Sequence, residues 1–234
     1  MLIACLTSIP PRFENLRETI EDLHRQSRPP DRIEVNLPSN WLRFAKADMP
    51  VLPDGVDLYQ GGPDLGPIMK LVPSLRRWSD REVTLLICDD DCRYGPGWVD
   101  TLLEAARRHP GNAITGAGFS ANRLGRTGER HERADAGRAD IAQGYAGVLF
   151  EPGMIHRDVL CPPACAWSVD DIWISAMLAL AGTAIAEAPA ARAQVTALDR
   201  PGALQSATVG GLDRAAANAA TLAWVQARYG IWRT

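Results

Sequence analysis

Short apolar runs alternate with amphipathic stretches along the 234-residue chain, a rhythm that predicts a largely parallel α/β sheet with helices on its faces. Leu2 to Ile9 is almost continuously apolar, the pattern of a strand buried on both sides, and Pro10-Pro11 ends it. Phe13, Leu16, Ile20 and Leu23 follow at helical spacing until Arg28-Pro29-Pro30-Asp31. Ile33 to Leu37 reads as a second strand, Pro38 to Pro53 as an aperiodic loop, and Val56 to Tyr59 as a third strand. Ile68, Leu71, Val72 and Leu75 line the next helix, and Val83 to Cys88 is the most strand-like run of all. Trp98, Leu102 and Ala105 mark a helix that His109-Pro110-Gly111 stops. Ala146 to Phe150 and Thr183 to Ala186 predict two further strands. Val169 to Leu180 predicts a buried, nearly all-apolar helix, and Leu212 to Tyr229 an Ala-rich terminal one.

Residues 121–143 break the rhythm. Arg123, Arg126, Arg130, Arg133 and Arg138 crowd a stretch with few apolar positions, which predicts a long surface loop of the kind that serves as a lid. There are no repeats and no linker that would divide the chain. We therefore expect a single domain over 1–234, with a core over about 2–190 and a helical tail over about 205–234.

Composition narrows the function. Hydrophobic residues make up 46% and charged ones 23% of the chain, with a net charge of −3, ordinary values for a globular protein. No Lys/Arg block is present, which argues against a nucleic-acid partner. The apolar start ends by Ser8, too early for a signal peptide. The longest apolar stretch, Ile172 to Ala186, falls short of the about 20 residues of a membrane span. Five cysteines, Cys5, Cys88, Cys92, Cys161 and Cys165, are an odd number and read as free thiols in a reducing, cytoplasmic setting. The histidines, His24, His109, His131 and His156, are scattered and read as surface residues.

The sharpest chemical feature is Asp89-Asp90-Asp91, directly after the strongest strand. Open α/β sheets bind ligands at that carboxyl edge. Three adjacent carboxylates raise one another's pKa, and a hard divalent cation such as Mg²⁺ or Mn²⁺ relieves the repulsion. A solvated acidic turn is the alternative. Asp170-Asp171 opens the late apolar helix: Ser168-Val169-Asp170-Asp171 fits a capping box, or the pair supplies a general base at the edge of the core. Lys70, one turn beyond Asp64-Leu65-Gly66-Pro67, reads either as a phosphate contact or as a solvent-facing helix lysine. Arg12, in Thr7-Ser8-Ile9-Pro10-Pro11-Arg12, reads as a diphosphate fork or a surface arginine. No Walker A loop, Gly-x-Gly-x-x-Gly turn or Gly-x-Ser-x-Gly elbow occurs.

Taken in order, Thr7 to Arg12, Asp64 to Pro67 with Lys70, Ile87-Cys88-Asp89-Asp90-Asp91, Gly147-Val148-Leu149-Phe150 and Val169 to Ser175 resemble a bacterial glycosyltransferase of the GT-A fold, family 2-like, with its Asp-x-Asp motif. The resemblance implies a GT-A-type Rossmann-like domain, with a mostly parallel central sheet flanked by helices. It implies a UDP- or GDP-linked sugar donor against Thr7, Ser8, Arg12, Asp64, Lys70, Asp89 and Asp90, with Mn²⁺ or Mg²⁺ held by Asp91 and Asp89. Asp171 or Asp170 would be the catalytic base toward a glycan or other hydroxyl acceptor, in an inverting single displacement. Two family features are missing. No histidine follows His156 to serve as a C-terminal metal ligand, and the Gln-x-x-Arg-Trp signature of processive synthases is absent, so transfer of one sugar is expected rather than polymer synthesis. The competing classes are a sugar-phosphate nucleotidyltransferase, which would carry a Gly-rich basic loop after the first strand, and a non-catalytic nucleotide-sugar-binding protein.

Overall fold

A computed structural model describes residues 1–45, 47–124 and 138–232. The first half alternates as the hydropathy pattern requires: β1 (Leu2–Leu6), α1 (Phe13–His24), β2 (Arg32–Leu37), β3 (Val56–Gln60), α2 (Val72–Trp78), β4 (Thr84–Ile87), β5 (Cys92–Tyr94) and α3 (Trp98–Arg108). Next come β6 (Ala113–Thr115), β7 (Gly118–Phe119), β8 (Arg138–Ala139), β9 (Ile141–Ala142) and β10 (Val148–Phe150). The chain then runs through α4 (Asp170–Leu180), β11 (Ile185–Glu187), α5 (Pro189–Arg192), β12 (Val195–Ala197) and α6 (Arg214–Tyr229).

Eight strands form the main sheet in the order β3-β2-β1-β4-β10-β6-β11-β8. The four on the β3 side are mutually parallel, β10 runs antiparallel to both its neighbours, and β11 is parallel to β6. The sheet is thus α/β and largely parallel, as expected, with two reversed strands, β10 near its centre and β8 at its edge. β5 pairs with β12, and β7 with β9, in two small ribbons.

β1 shows why an unbroken apolar run marks a central strand. Leu2, Ala4 and Leu6 enter the core that holds Leu16, Ile20 and Leu23 of α1 and Trp98 of α3. Ile3 and Cys5 enter the opposite core, with Val72 and Leu75 of α2 and Trp173 and Met177 of α4. Side chains alternate across a strand, so both faces must be apolar when both are covered. α6 begins at Asp213, whose carboxylate accepts from the Ala216 N–H at 2.8 Å, and ends at Gly230 in the left-handed conformation. Trp224 lies edge-on to Trp173 at 5.4 Å, with Tyr229 at 6.2 Å from the same ring. The C-terminal aromatics therefore pack on the core.

Three expectations need correction. The helix read from Ile68 onward is a 3₁₀ turn, Gly66–Lys70, followed by a separate α2. β6, β5 and β12 were not foreseen, because strands of three residues are too short for a period-2 pattern to register. The stretch read as loop after Arg123 contains β8 and β9, with Ile141 and Ala142 buried; the rest of that expected lid, residues 125–137, lies outside the described residues. Cys5, Cys88 and Cys92 are buried, whereas Cys161 is exposed and Cys165 half-buried, and all are free thiols.

One charged group is buried in the sheet itself. Glu34 of β2 is fully buried and accepts from Arg77 at 2.6 Å, Ser74 at 2.6 Å and the Trp78 indole at 2.9 Å. Arg77 also reaches Asn36 and lies 3.7 Å over the Tyr59 ring. Removing one partner of a buried pair costs about 3–5 kcal/mol, because the other charge is stranded. Arg77→Met is accordingly expected to lower unfolding stability by about that amount in urea titration, and adding Glu34→Gln to recover much of the loss.

Candidate active site

The parallel pairing of β1 and β4 sets Cys5 beside Ile87. Both strands therefore deliver their following residues to one edge, where Ser8 meets Asp90. The Ser8 hydroxyl donates to Asp90 Oδ2 at 2.6 Å, and Arg12 Nη1 donates to Asp90 Oδ1 at 2.7 Å. Arg12 also lies 3.0 Å from Asp91 Oδ2, and its Nε donates to the Pro201 carbonyl at 2.9 Å. Arg12 is thus a buried counter-ion, not a surface arginine. Two side chains fasten the acidic turn from behind. Thr19 donates to the carbonyls of Asp90 and Cys92. The Tyr94 hydroxyl accepts the Asp89 N–H at 3.2 Å and donates to the Tyr145 carbonyl at 3.0 Å.

Lys70 is the second buried cation. Its side chain is only 2% exposed, with Nζ 2.5 Å from Asp89 Oδ1 and 3.0 Å from Asp170 Oδ2. The solvent-facing reading of this lysine is therefore excluded. Asp171 Oδ1 accepts the Gly144 N–H at 2.9 Å. The capping box does not form: Val169, not Ser168, is the N-cap of α4 and no side chain caps the helix, and the Ser168 carbonyl instead accepts from Arg214 at 2.7 Å.

Ser8, Arg12, Lys70, Asp89, Asp90, Asp91, Asp170 and Asp171 are thus joined at one sheet edge. Thr7 and Asp64 have structural partners outside this group. The Thr7 hydroxyl donates to the Asn36 carbonyl at 2.7 Å, tying β1 to β2. The Asp64 carboxylate accepts the Leu42 and Gly66 N–H groups at 2.8 Å each, so it anchors the Pro-rich loop. Gly66 adopts φ +75° beneath Trp167, whose indole donates to the Asp64 carbonyl at 3.1 Å. Gly144, Tyr94, Thr19 and Trp167 were not foreseen. Their roles come from contacts between distant segments, and none stands in a motif.

The electrostatics follow from burial and crowding. Burial, reinforced by Asp170, pushes the Asp171 carboxyl up to about 7. Burial and the neighbouring Asp89 push Asp91 up to about 6. Burial alone would lower the Lys70 pKa, but Asp170, Asp89 and Asp171 reverse this and hold it well above the ordinary lysine value. Arg12 and Lys70 leave the acidic group under-compensated, with Asp91 the most exposed of the Arg12-paired acids at 28%. Among the described residues, no three His, Cys, Asp or Glu side chains converge as a protein cage for a metal. Hard oxygen ligands on one or two carboxylates, completed by substrate phosphates, are nonetheless the ordinary setting for Mg²⁺. The donor chemistry of Asp91 with Asp89 fits that setting.

No protein-family model matches the sequence, and neither does any curated protein. Solved structures do match. The UDP complex of residues 1–349 of S. aureus TarS superposes with a TM-score of 0.55 at 11% identity, over 80% of this chain and 57% of that one. A second structure of TarS 1–349 gives 0.51 at 9% identity, over 80% and 58%. The likeness is one of fold. It assigns the chain a Rossmann-like α/β architecture, and the chain spans less than three-fifths of the TarS fragment's length.

The raised carboxyl pKa values have a consequence for stability. Unfolded Asp171 titrates near 4, so the folded state retains its proton over the interval up to about 7. Stability from this group is present below that interval and is lost as pH rises through it. Asp171→Asn is expected to flatten the fall of the thermal midpoint between pH 5 and pH 8 relative to the wild type. Scanning calorimetry at the two pH values checks this.

Proposed function

We propose that the chain is a nucleotide-sugar-dependent glycosyltransferase that moves one sugar to an acceptor hydroxyl by an inverting, non-processive displacement. The observation that carries this reading is the meeting of Asp89-Asp90-Asp91 with Asp170-Asp171 at the carboxyl edge of β1 and β4, in a fold shared with a UDP-bound protein. In this reading the donor lies across that edge against Thr7, Ser8, Arg12, Asp64, Asp89 and Asp90, with UDP or GDP as its nucleotide. Cytoplasmic placement belongs to the same proposal. Among the described residues no helix is long and apolar enough to cross a membrane.

Asp171 is the base. Its carboxylate, held by the Gly144 N–H, takes the proton of the acceptor hydroxyl as the oxygen attacks the anomeric carbon. A pKa near the working pH suits that task, since the group is ionised often enough to act yet basic enough to accept a proton. Arg12 holds Asp90 and Asp91 in place while the sugar–phosphate bond breaks. Mn²⁺ or Mg²⁺, when bound by Asp91 and Asp89, supplies Lewis-acid stabilisation of charge on the departing diphosphate.

Calorimetric titration with UDP and with GDP, each with and without Mn²⁺, tests the donor site. Metal-dependent binding of one nucleotide that is lost in Asp91→Asn is the expected result. Binding of neither refutes the UDP and GDP assignments, and pyrophosphate release from a sugar phosphate and a nucleoside triphosphate would identify a nucleotidyltransferase instead. Asp171→Asn is expected to lower kcat by about 10²–10⁴-fold. The wild-type rate should rise with pH and level off above about 7, and this inflection should vanish in the variant. Nucleotide-sugar binding without any turnover would favour a binding protein.

A further inference from the structure

We infer that Lys70 is a positioning residue and not a donor ligand: its buried ammonium braces the acidic turn after β4 against the start of α4, and so fixes Asp171 against Gly144. This rests on the proposed role of Asp171 as base.

The geometry supports the brace at each point. Asp89 leaves the end of β4 and Asp170 opens α4, and Lys70 Nζ is within 3.0 Å of both. Asp170 is 5% exposed, and its Oδ2 has no hydrogen-bond partner of good geometry among the described residues. Without the lysine it would be a stranded buried carboxylate. α4 has no side-chain cap, so this ion pair and the Asp171–Gly144 bond anchor its first turn. Gly144 closes the arrangement. A Cβ there would stand 2.7 Å from Lys70 Nζ and 3.1 Å from Asp171 Oδ1, so the backbone packs directly on both groups. Two of the three ammonium N–H groups face these carboxylates, and with the side chain only 2% exposed the third is shielded from a donor phosphate. A base displaced by about 1 Å loses about 10²-fold in rate, whereas a nucleotide bound elsewhere on the edge keeps its contacts.

The test separates kcat from affinity. Lys70→Met leaves Asp170 uncompensated and is prone to unfold, so Lys70→Met/Asp170→Asn, which removes both charges, is measured beside it. Nucleotide Kd is read by titration with UDP and GDP, and turnover of the matching nucleotide-sugar is followed as nucleoside diphosphate release. The brace predicts a kcat lower by about 10²-fold or more, a Kd within about twofold of wild type, and partial recovery of kcat in Lys70→Arg. A Kd weakened tenfold or more with kcat retained overturns it and makes Lys70 a donor contact. An activity-independent reading comes from the Gly144 amide resonance in ¹H–¹⁵N spectra. An upfield shift in the double variant, as the Asp171 hydrogen bond loosens, supports the brace, and an unmoved resonance overturns it. If the wild type binds neither nucleotide, the function proposed above fails, and the Gly144 resonance alone decides the brace.

Discussion

Neutralising buried negative charge is the constraint around which this protein is arranged. Five carboxylates, on Asp89, Asp90, Asp91, Asp170 and Asp171, are gathered at one edge of the sheet, and two cations, Arg12 and Lys70, lie among them. Removing a carboxylate from water is costly unless it is paired and hydrogen-bonded. The surrounding structure meets that demand for Asp90, which has Ser8 and Arg12. Burial nonetheless raises the Asp90 pKa, as it does for Asp91 and Asp171, which have fewer hydrogen-bonding partners. Such under-compensated acids at a sheet edge favour the binding of cations and the transfer of protons.

The fold explains how the acids meet. Parallel pairing of β1 with β4 sends two chain segments out of the same edge, so the residues after each strand become neighbours across more than 80 positions of sequence, as with Ser8 and Asp90. α4 reaches the same edge from the far half of the chain. Its apolar body is buried with α2 in one core, which leaves only its first turn, Asp170-Asp171, to face the site. Thr19 and Tyr94 then hold the acidic turn from the opposite core. The site is therefore clamped between the two cores, and neither core alone would suffice.

Much of this was legible in the residues themselves. An apolar run of strand length followed directly by three aspartates announces a carboxyl-edge acidic site, and Asp89 to Asp91 lie there. The helical spacing of Phe13, Leu16, Ile20 and Leu23 predicted α1 closely, and the all-apolar stretch after Asp171 predicted a buried helix that became α4. What escaped was short or long-range. β6 is three residues long, too few for a pattern, yet it is a central strand. Gly144 is one of 20 glycines, and nothing local distinguishes the one whose backbone touches Lys70 and Asp171.

The sequence by itself determined which residues carry charge, which runs must be buried, and where the strands that end in acids lie, because hydrophobic periodicity and turn chemistry act between near neighbours. Tertiary structure decided the rest: that Arg12 and Lys70 are buried counter-ions rather than surface cations, that Ser168 does not cap α4, and that β10 runs antiparallel between β4 and β6. Those outcomes depend on the energy of a charge in a particular enclosure. An enclosure exists only once segments far apart in the chain have packed together.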